Sequence, residues 1–107
     1  MMLLTKANRQ ILPALGSTED TPSDQKKAVV KFFDPTSQWT WYAIEFDGDD
    51  RFFGLVHGQE TEFGYFSLSE LQSIKVKLGL KIERDMWFTP TLITKLYKEH
   101  TGSELIS

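Results

Sequence analysis

The chain has 107 residues, 40% hydrophobic and 25% charged, with a formal net charge of −3, values that fit one small folded domain spanning 1–107 and speak against a disordered chain. It contains no cysteine, which excludes a disulfide framework, a thiolate metal centre and a cysteine nucleophile. No stretch approaches the roughly 20 apolar residues of a membrane-spanning helix, and the opening "MMLLTKANRQILPALG" lacks a signal-peptide core. A cytoplasmic protein with no membrane partner is expected.

In chain order, Thr5 is placed to cap a short helix carrying Ala7, Ile11 and Leu12 on one side, stopped by Pro13. From 16 to 27 no Val, Ile, Leu or aromatic residue occurs, which predicts a flexible surface loop. "AVVKFFDP" reads as a strand closed by Asp34 and Pro35. In "WTWYAIEFD" the period of two sets Thr40, Tyr42, Ile44 and Phe46 on one face and Trp39, Trp41, Ala43, Glu45 and Asp47 on the other. "DGDD" at 47–50 is a hairpin turn, because glycine supplies a positive φ and aspartate tolerates turns. "RFFGLVHGQ" and then Tyr65 with Phe66 continue the meander.

"SLSE" at 67–70 matches a capping box. The helix it opens carries Leu68, Leu71 and Ile74 or Lys75 and stops at "LGL", 78–80. "KIERDMWF" predicts a further extended segment. Thr89 with Pro90 predicts the start of a last helix, whose apolar stripe is Leu92, Ile93, Leu96 and Tyr97. Residues 101–107 read as a frayed tail. The fold class expected is α+β, a three- to five-stranded antiparallel meander sheet with short helices packed against it.

The charge is segregated. From 39 to 70 seven acidic residues stand against Arg51 alone, and eleven of the fourteen aromatics lie between Phe32 and Phe66. Stacking rings without Lys or Arg beside them are a poor nucleic-acid platform. Nucleic-acid binding would have to use Lys75, Lys77, Lys81, Lys95 and Lys98 in the basic C-terminal third, and the overall sign disfavours it.

Trp39, Trp41, Glu45, Asp47, Asp49, Asp50, Glu60 and Glu62 are the candidate partner-binding residues, since aromatic anchors beside charges are typical of interfaces. The competing reading packs both tryptophans under a helix and leaves only Glu45 and Asp47 to emerge. The 47–50 turn with Glu60 or Glu62 offers clustered oxygens for Mg²⁺ or Ca²⁺. The spacing of a calcium loop is absent, however, and in a meander the next loop tends to lie at the far end of the sheet, so no metal and no cofactor are assigned. His57 and His100 have no nucleophile beside them, and no recognised catalytic motif occurs. No catalytic residue is named, and the reading leans away from an enzyme. Arg84, between apolar neighbours, is expected in a part-buried bridge to a carboxylate, with an anionic ligand as the alternative.

"VKFF" with Pro35, "WTWY", "FDGDD", "FFGLVHGQETEFGYFSLSELQS" and "LGLKIERD", in this order and spacing, resemble the small bacterial proteins grouped as domain of unknown function 2958. The likeness runs to about Tyr97. Phe63 stands where a leucine is expected and Lys81 where a proline is. The resemblance implies a bacterial protein at home on plasmids and other mobile elements, and it carries no assigned activity. The leading reading is a non-enzymatic interaction or accessory module with a protein partner. A small metal-dependent enzyme at the acidic turn and nucleic-acid binding are the alternatives.

Overall fold

The structure, a computed structural model, describes residues 2–106; Met1 and Ser107, the ends of the expected domain and tail, lie outside them. Four strands make up the meander: β2 (Val30–Phe33), β3 (Thr40–Phe46), β4 (Arg51–His57) and β5 (Thr61–Ser67), each antiparallel to the next. A short β6 (Glu83–Arg84) adds to β2, giving a five-stranded sheet in the order β5-β4-β3-β2-β6. A two-residue β1 (Lys27–Ala28) pairs with β7 (Thr91–Leu92) in a separate ribbon. With helices α1 (Lys6–Ile11), α2 (Leu68–Ser73) and α3 (Ile93–Thr101), the fold is α+β, with 3₁₀ turns at Ser23–Gln25 and Lys77–Gly79.

Both faces of the sheet are covered, so β3 is buried along its whole length. One face packs Val30, Phe32, Trp41, Phe46, Phe52 and Phe66 against Leu4, Leu12, Leu68, Leu71 and Ile82. The other packs Tyr42, Ile44 and Leu55 against Ile93 and Leu96 of α3. Strict alternation along β3 breaks at a bulge: Ala43 faces Gly54 and Glu45 faces Phe53, leaving Ile44 as the extra residue. The extra residue reverses the facing of the side chains after it. Phe46 therefore joins the Trp41 face, against the simple period of two, and Glu45 moves to the Tyr42 face. Gly54 permits the close approach, because a Cβ there would lie 1.8 Å from the Tyr42 carbonyl oxygen.

The capping signals act where their side chains can reach free amides. Thr5 Oγ1 accepts from the Asn8 amide at 3.1 Å and Asn8 Oδ1 accepts from the Thr5 amide at 3.0 Å, a reciprocal box with Asn in the Glu position. Ser67 Oγ accepts from the Glu70 amide at 3.1 Å. The start expected at Thr89 and Pro90 is not used. Thr91 and Leu92 stay extended on β1, and the Ile93 amide donates to the Lys26 carbonyl at 3.0 Å, so ladder bonds hold that backbone out of the helix until Ile93. The second helix also stops earlier than "LGL": Ile74 is its extended C-cap, and Leu78 adopts a left-handed φ of 63° in a tight turn beyond it.

Candidate functional site

The β2–β3 connection builds the site. Asp34 folds back on the chain: its Oδ1 accepts from the amide and hydroxyl of Thr36, both at 2.8 Å, and its Oδ2 from the Ser37 hydroxyl at 2.9 Å. Desolvation pushes the Asp34 carboxyl up, but the Thr36 and Ser37 donors outweigh it and hold it below the ordinary value. The Ser37 hydroxyl in turn accepts from the Trp39 amide at 3.2 Å, and Gln38 Nε2 donates to the Gly58 carbonyl at 3.2 Å. Trp39 is thereby set against Gly58, where any Cβ would meet its ring at 2.3 Å.

The two tryptophans divide the roles the sequence left open. Trp41 is core at 7% exposed, whereas Trp39 is 40% exposed, and the rings stack with centroids 5.8 Å apart at 28°. On one side of them lies an open cleft of about 670 Å³, lined by Asp34, Ser37, Glu70, Ile74, Val76 and Lys77 among others. On the other side of Trp39 is a second hollow of about 510 Å³, lined by Val56, Gln59, Glu60, Glu62, Phe63 and Gly64. Trp39 is the wall they share. Hydrogen bonding from Glu60, and then its charge, raise the Glu62 carboxyl above its ordinary value. A cation placed there would relieve that repulsion.

The other acidic candidates separate. Glu45 is only 3% exposed and is removed from any docking surface. Its Oε1 accepts from the Gly16 amide at 2.7 Å, and its Oε2 accepts from the amide of Thr18 at 3.0 Å and from the Thr18 hydroxyl. Burial raises the Glu45 carboxyl, but the Thr18 and Gly16 donors prevail and lower it overall. The bulge turned it to the Tyr42 face, where it clamps the start of the 16–27 segment to the sheet.

In the 47–50 turn, Gly48 has φ 87°, and Asp47 Oδ1 accepts from the amides of Asp49, Asp50 and Arg51. Those three amides hold its carboxyl below the usual range. Asp50 caps α2: its Oδ1 accepts from the Ser69 amide at 2.7 Å and its Oδ2 from the Ser69 hydroxyl at 2.8 Å. Asp49 is exposed at the tip.

Glu60 follows the opposite end of β4 from this turn and Glu62 pairs with Val56 near that end, about 20 Å away at 3.3 Å per strand residue. The two halves of the metal-enzyme alternative therefore do not meet. No group of three or more metal-ligating side chains occurs among the described residues. The lysines divide too. Lys75 and Lys81 face each other across a tight turn on the Trp41 side, while Lys95 and Lys98 ride on α3 against the other face, with Lys98 bonded to Glu104 at 2.7 Å.

Among the described residues Arg84 makes no carboxylate bridge. Its Nη1 donates to the carbonyls of Met2 and Leu3 at 2.7 and 3.0 Å, because pairing with Phe32 turns it toward the N-terminal segment. The neighbouring Asp85, one residue on and so across the sheet, takes Lys31 instead at 3.7 Å.

His57 and His100, which the sequence shows only without a nucleophile beside them, belong to a cluster. Tyr42 Oη lies 2.6 Å from His100 Nε2, His57 Nδ1 lies 2.7 Å from Thr61 Oγ1, and the two imidazoles stack at 4.1 Å. Nothing local in the sequence links positions 42, 57 and 100, and only the packing of α3 on the sheet brings them together. Burial pushes the Tyr42 phenol up to about 12, aided by the charges of Glu99 and Asp85. His100 is pushed below its ordinary value by burial first, then by His57 and Lys31, against an opposing pull from Glu99. By contrast, the Asp34 turn at the cleft was legible, since Asp-Pro-Thr-Ser is a sequence of turn formers.

No curated protein and no solved structure matches the chain. The family model described as "Protein of unknown function (DUF2958)" matches residues 3–104, nearly the whole length. The fold and the tryptophan cleft thus lie within the matched span, and the chain belongs to the DUF2958 family.

Proposed function

We infer that the protein is a non-enzymatic interaction module that takes a segment of a partner protein, basic and apolar in character, across Trp39. The observation that carries this is one half-exposed tryptophan, held rigidly on Gly58 and Trp41, standing between two hollows. A rigid ring that costs little side-chain entropy to bury is the kind of anchor that dominates interface energies. Glu60 and Glu62 on one side and Asp34 and Glu70 on the other outnumber Lys75 and Lys77, which favours a Lys- or Arg-bearing segment able to lie over the indole. A cytoplasmic setting fits this reading, and an accessory role on bacterial mobile elements rests on what the family likeness implies.

The test is capture from nuclease-treated bacterial lysate by the immobilised chain and by its Trp39→Ala variant, followed by mapping the captured protein with overlapping peptides. The expected result is a nuclease-resistant protein whose minimal segment joins basic to apolar residues, bound at least about tenfold more weakly by Trp39→Ala. Equal binding by a Trp39→Ala chain of unchanged melting temperature overturns the reading. Loss of capture on nuclease treatment transfers it to nucleic acid.

A further inference from the structure

The two edges of the sheet are unlike. The β6 edge is two residues long and charged, Glu83–Arg84, the blunted form that soluble proteins favour. The β5 edge is seven residues, TEFGYFS, with no proline, no lysine and no bulge against β4. Among the described residues, nothing beyond β4 bonds to the backbone of residues 61–66. The outward row of amides and carbonyls is therefore a template for one more strand.

Large side chains there are also left partly exposed. Phe63 is 37% and Tyr65 61% exposed, both on the face that α3 covers elsewhere. They flank Phe53, with ring centroids 6.2 and 5.2 Å from it, and Arg51 lies over the Tyr65 ring at 5.2 Å. Three aromatic rings are thus held upright beside an open edge, an arrangement that isolated surface aromatics do not show.

The sequence of the edge names its occupant. About Gly64, TEFGYFS sets aromatic against aromatic, Phe63 and Tyr65, and hydroxyl against hydroxyl, Thr61 and Ser67, with Glu62 opposite Phe66. We propose that β5 pairs antiparallel with β5 of a second copy of this chain, about a two-fold axis through Gly64, joining two five-stranded sheets into one of ten. In that register Phe63 faces Tyr65 of the second copy, an aromatic cross-strand pair of the kind that stabilises sheets. Glu62 faces Phe66 of the second copy, so no like charges oppose one another. At the axis Gly64 faces itself, and a Cβ built there meets no atom within 4 Å, so a side chain placed at that position has room. The contact is isologous, so it closes at a dimer.

The absence of cysteine makes the register directly readable. The full chain, measured by light scattering after gel filtration, should show about twice its 12.3 kDa. Gly64→Cys should cross-link under mild oxidation, because facing residues of an antiparallel pair lie about 4.5–5.5 Å apart at Cα, inside the span of a disulfide. Ser103→Cys, on the exposed tail, serves as the control and should not. Phe63→Lys with Tyr65→Lys sets like charges opposite one another and yields a monomer. Phe63→Lys with Tyr65→Glu sets opposite charges there and restores the dimer. These side chains are exposed, so circular dichroism and the melting temperature should show the fold intact throughout. A mass of one chain at every concentration overturns the proposal, as does cross-linking of Gly64→Cys no faster than Ser103→Cys. A dimer indifferent to both charge pairs overturns it equally, since it would use another surface.

Discussion

Glu45 shows how one side chain can carry a segment. A carboxylate with 3% exposure is costly to bury unless its oxygens are filled, and here the amides of Gly16 and Thr18 and the Thr18 hydroxyl fill them. Removing it strands those donors. Glu45→Ala should lose about 2 kcal/mol in urea unfolding, with Glu45→Gln recovering part of the loss. The sequence pattern predicted Glu45 on the surface because it assumed unbroken alternation. The bulge at Ile44 that moved it to the Tyr42 face follows the Ala43–Gly54 pair, where the missing Cβ of Gly54 admits the Tyr42 carbonyl. A glycine in a strand is a legible hint of a bulge, but which neighbour shifts depends on the partner strand.

At the scale of elements, the acidic turn that resembled an ion site is a structural joint. Asp47 closes the hairpin on three amides, and Asp50 caps α2 by holding both the amide and the hydroxyl of Ser69. The helix N-terminus also favours that negative charge. Asp50→Ala should therefore cost about 1 kcal/mol and fray α2, read as lower helical signal and a reduced melting temperature. The Ser67 cap was visible in "SLSE", because a cap is local chemistry. The Asp50 cap was hidden, because it bridges positions 50 and 69 through the folded hairpin. The same contrast holds for α3, whose start at Thr89 looked favourable until pairing with β1 claimed Thr91 and Leu92.

At the scale of the whole molecule, α3 is fastened to the sheet at its far end by Tyr42, His57 and His100, and this fastening sets a pH dependence. His100 is harder to protonate folded than unfolded, so the unfolded chain takes up the proton first. Its contribution is complete above the ordinary value of 6.5 and is lost as the pH falls below it. Glu45 and Asp34 have lowered values. Their contributions are complete above the ordinary 4.5 and 3.8 and vanish as the pH falls further. At the alkaline end Tyr42 ionises first in the unfolded chain, so stability declines from pH 10 toward about 12. A melting-temperature profile should thus fall in two acid steps, and His100→Asn should abolish the first. A single acid step in the unaltered chain would show that the histidine stack is not coupled to folding.

The sequence alone determined the elements whose causes are local: the capped helices, the hairpin turn at Gly48, the meander and its α+β class, and the family. Local causes act within a few residues, so they can be read from spacing. Tertiary structure alone decided which of two neighbouring tryptophans stays exposed, which carboxylates are consumed as caps and clamps, and that two histidines 43 positions apart stack face to face. Those outcomes depend on what covers each face of the sheet. Coverage is set by contacts between residues far apart in the chain, which no local pattern records.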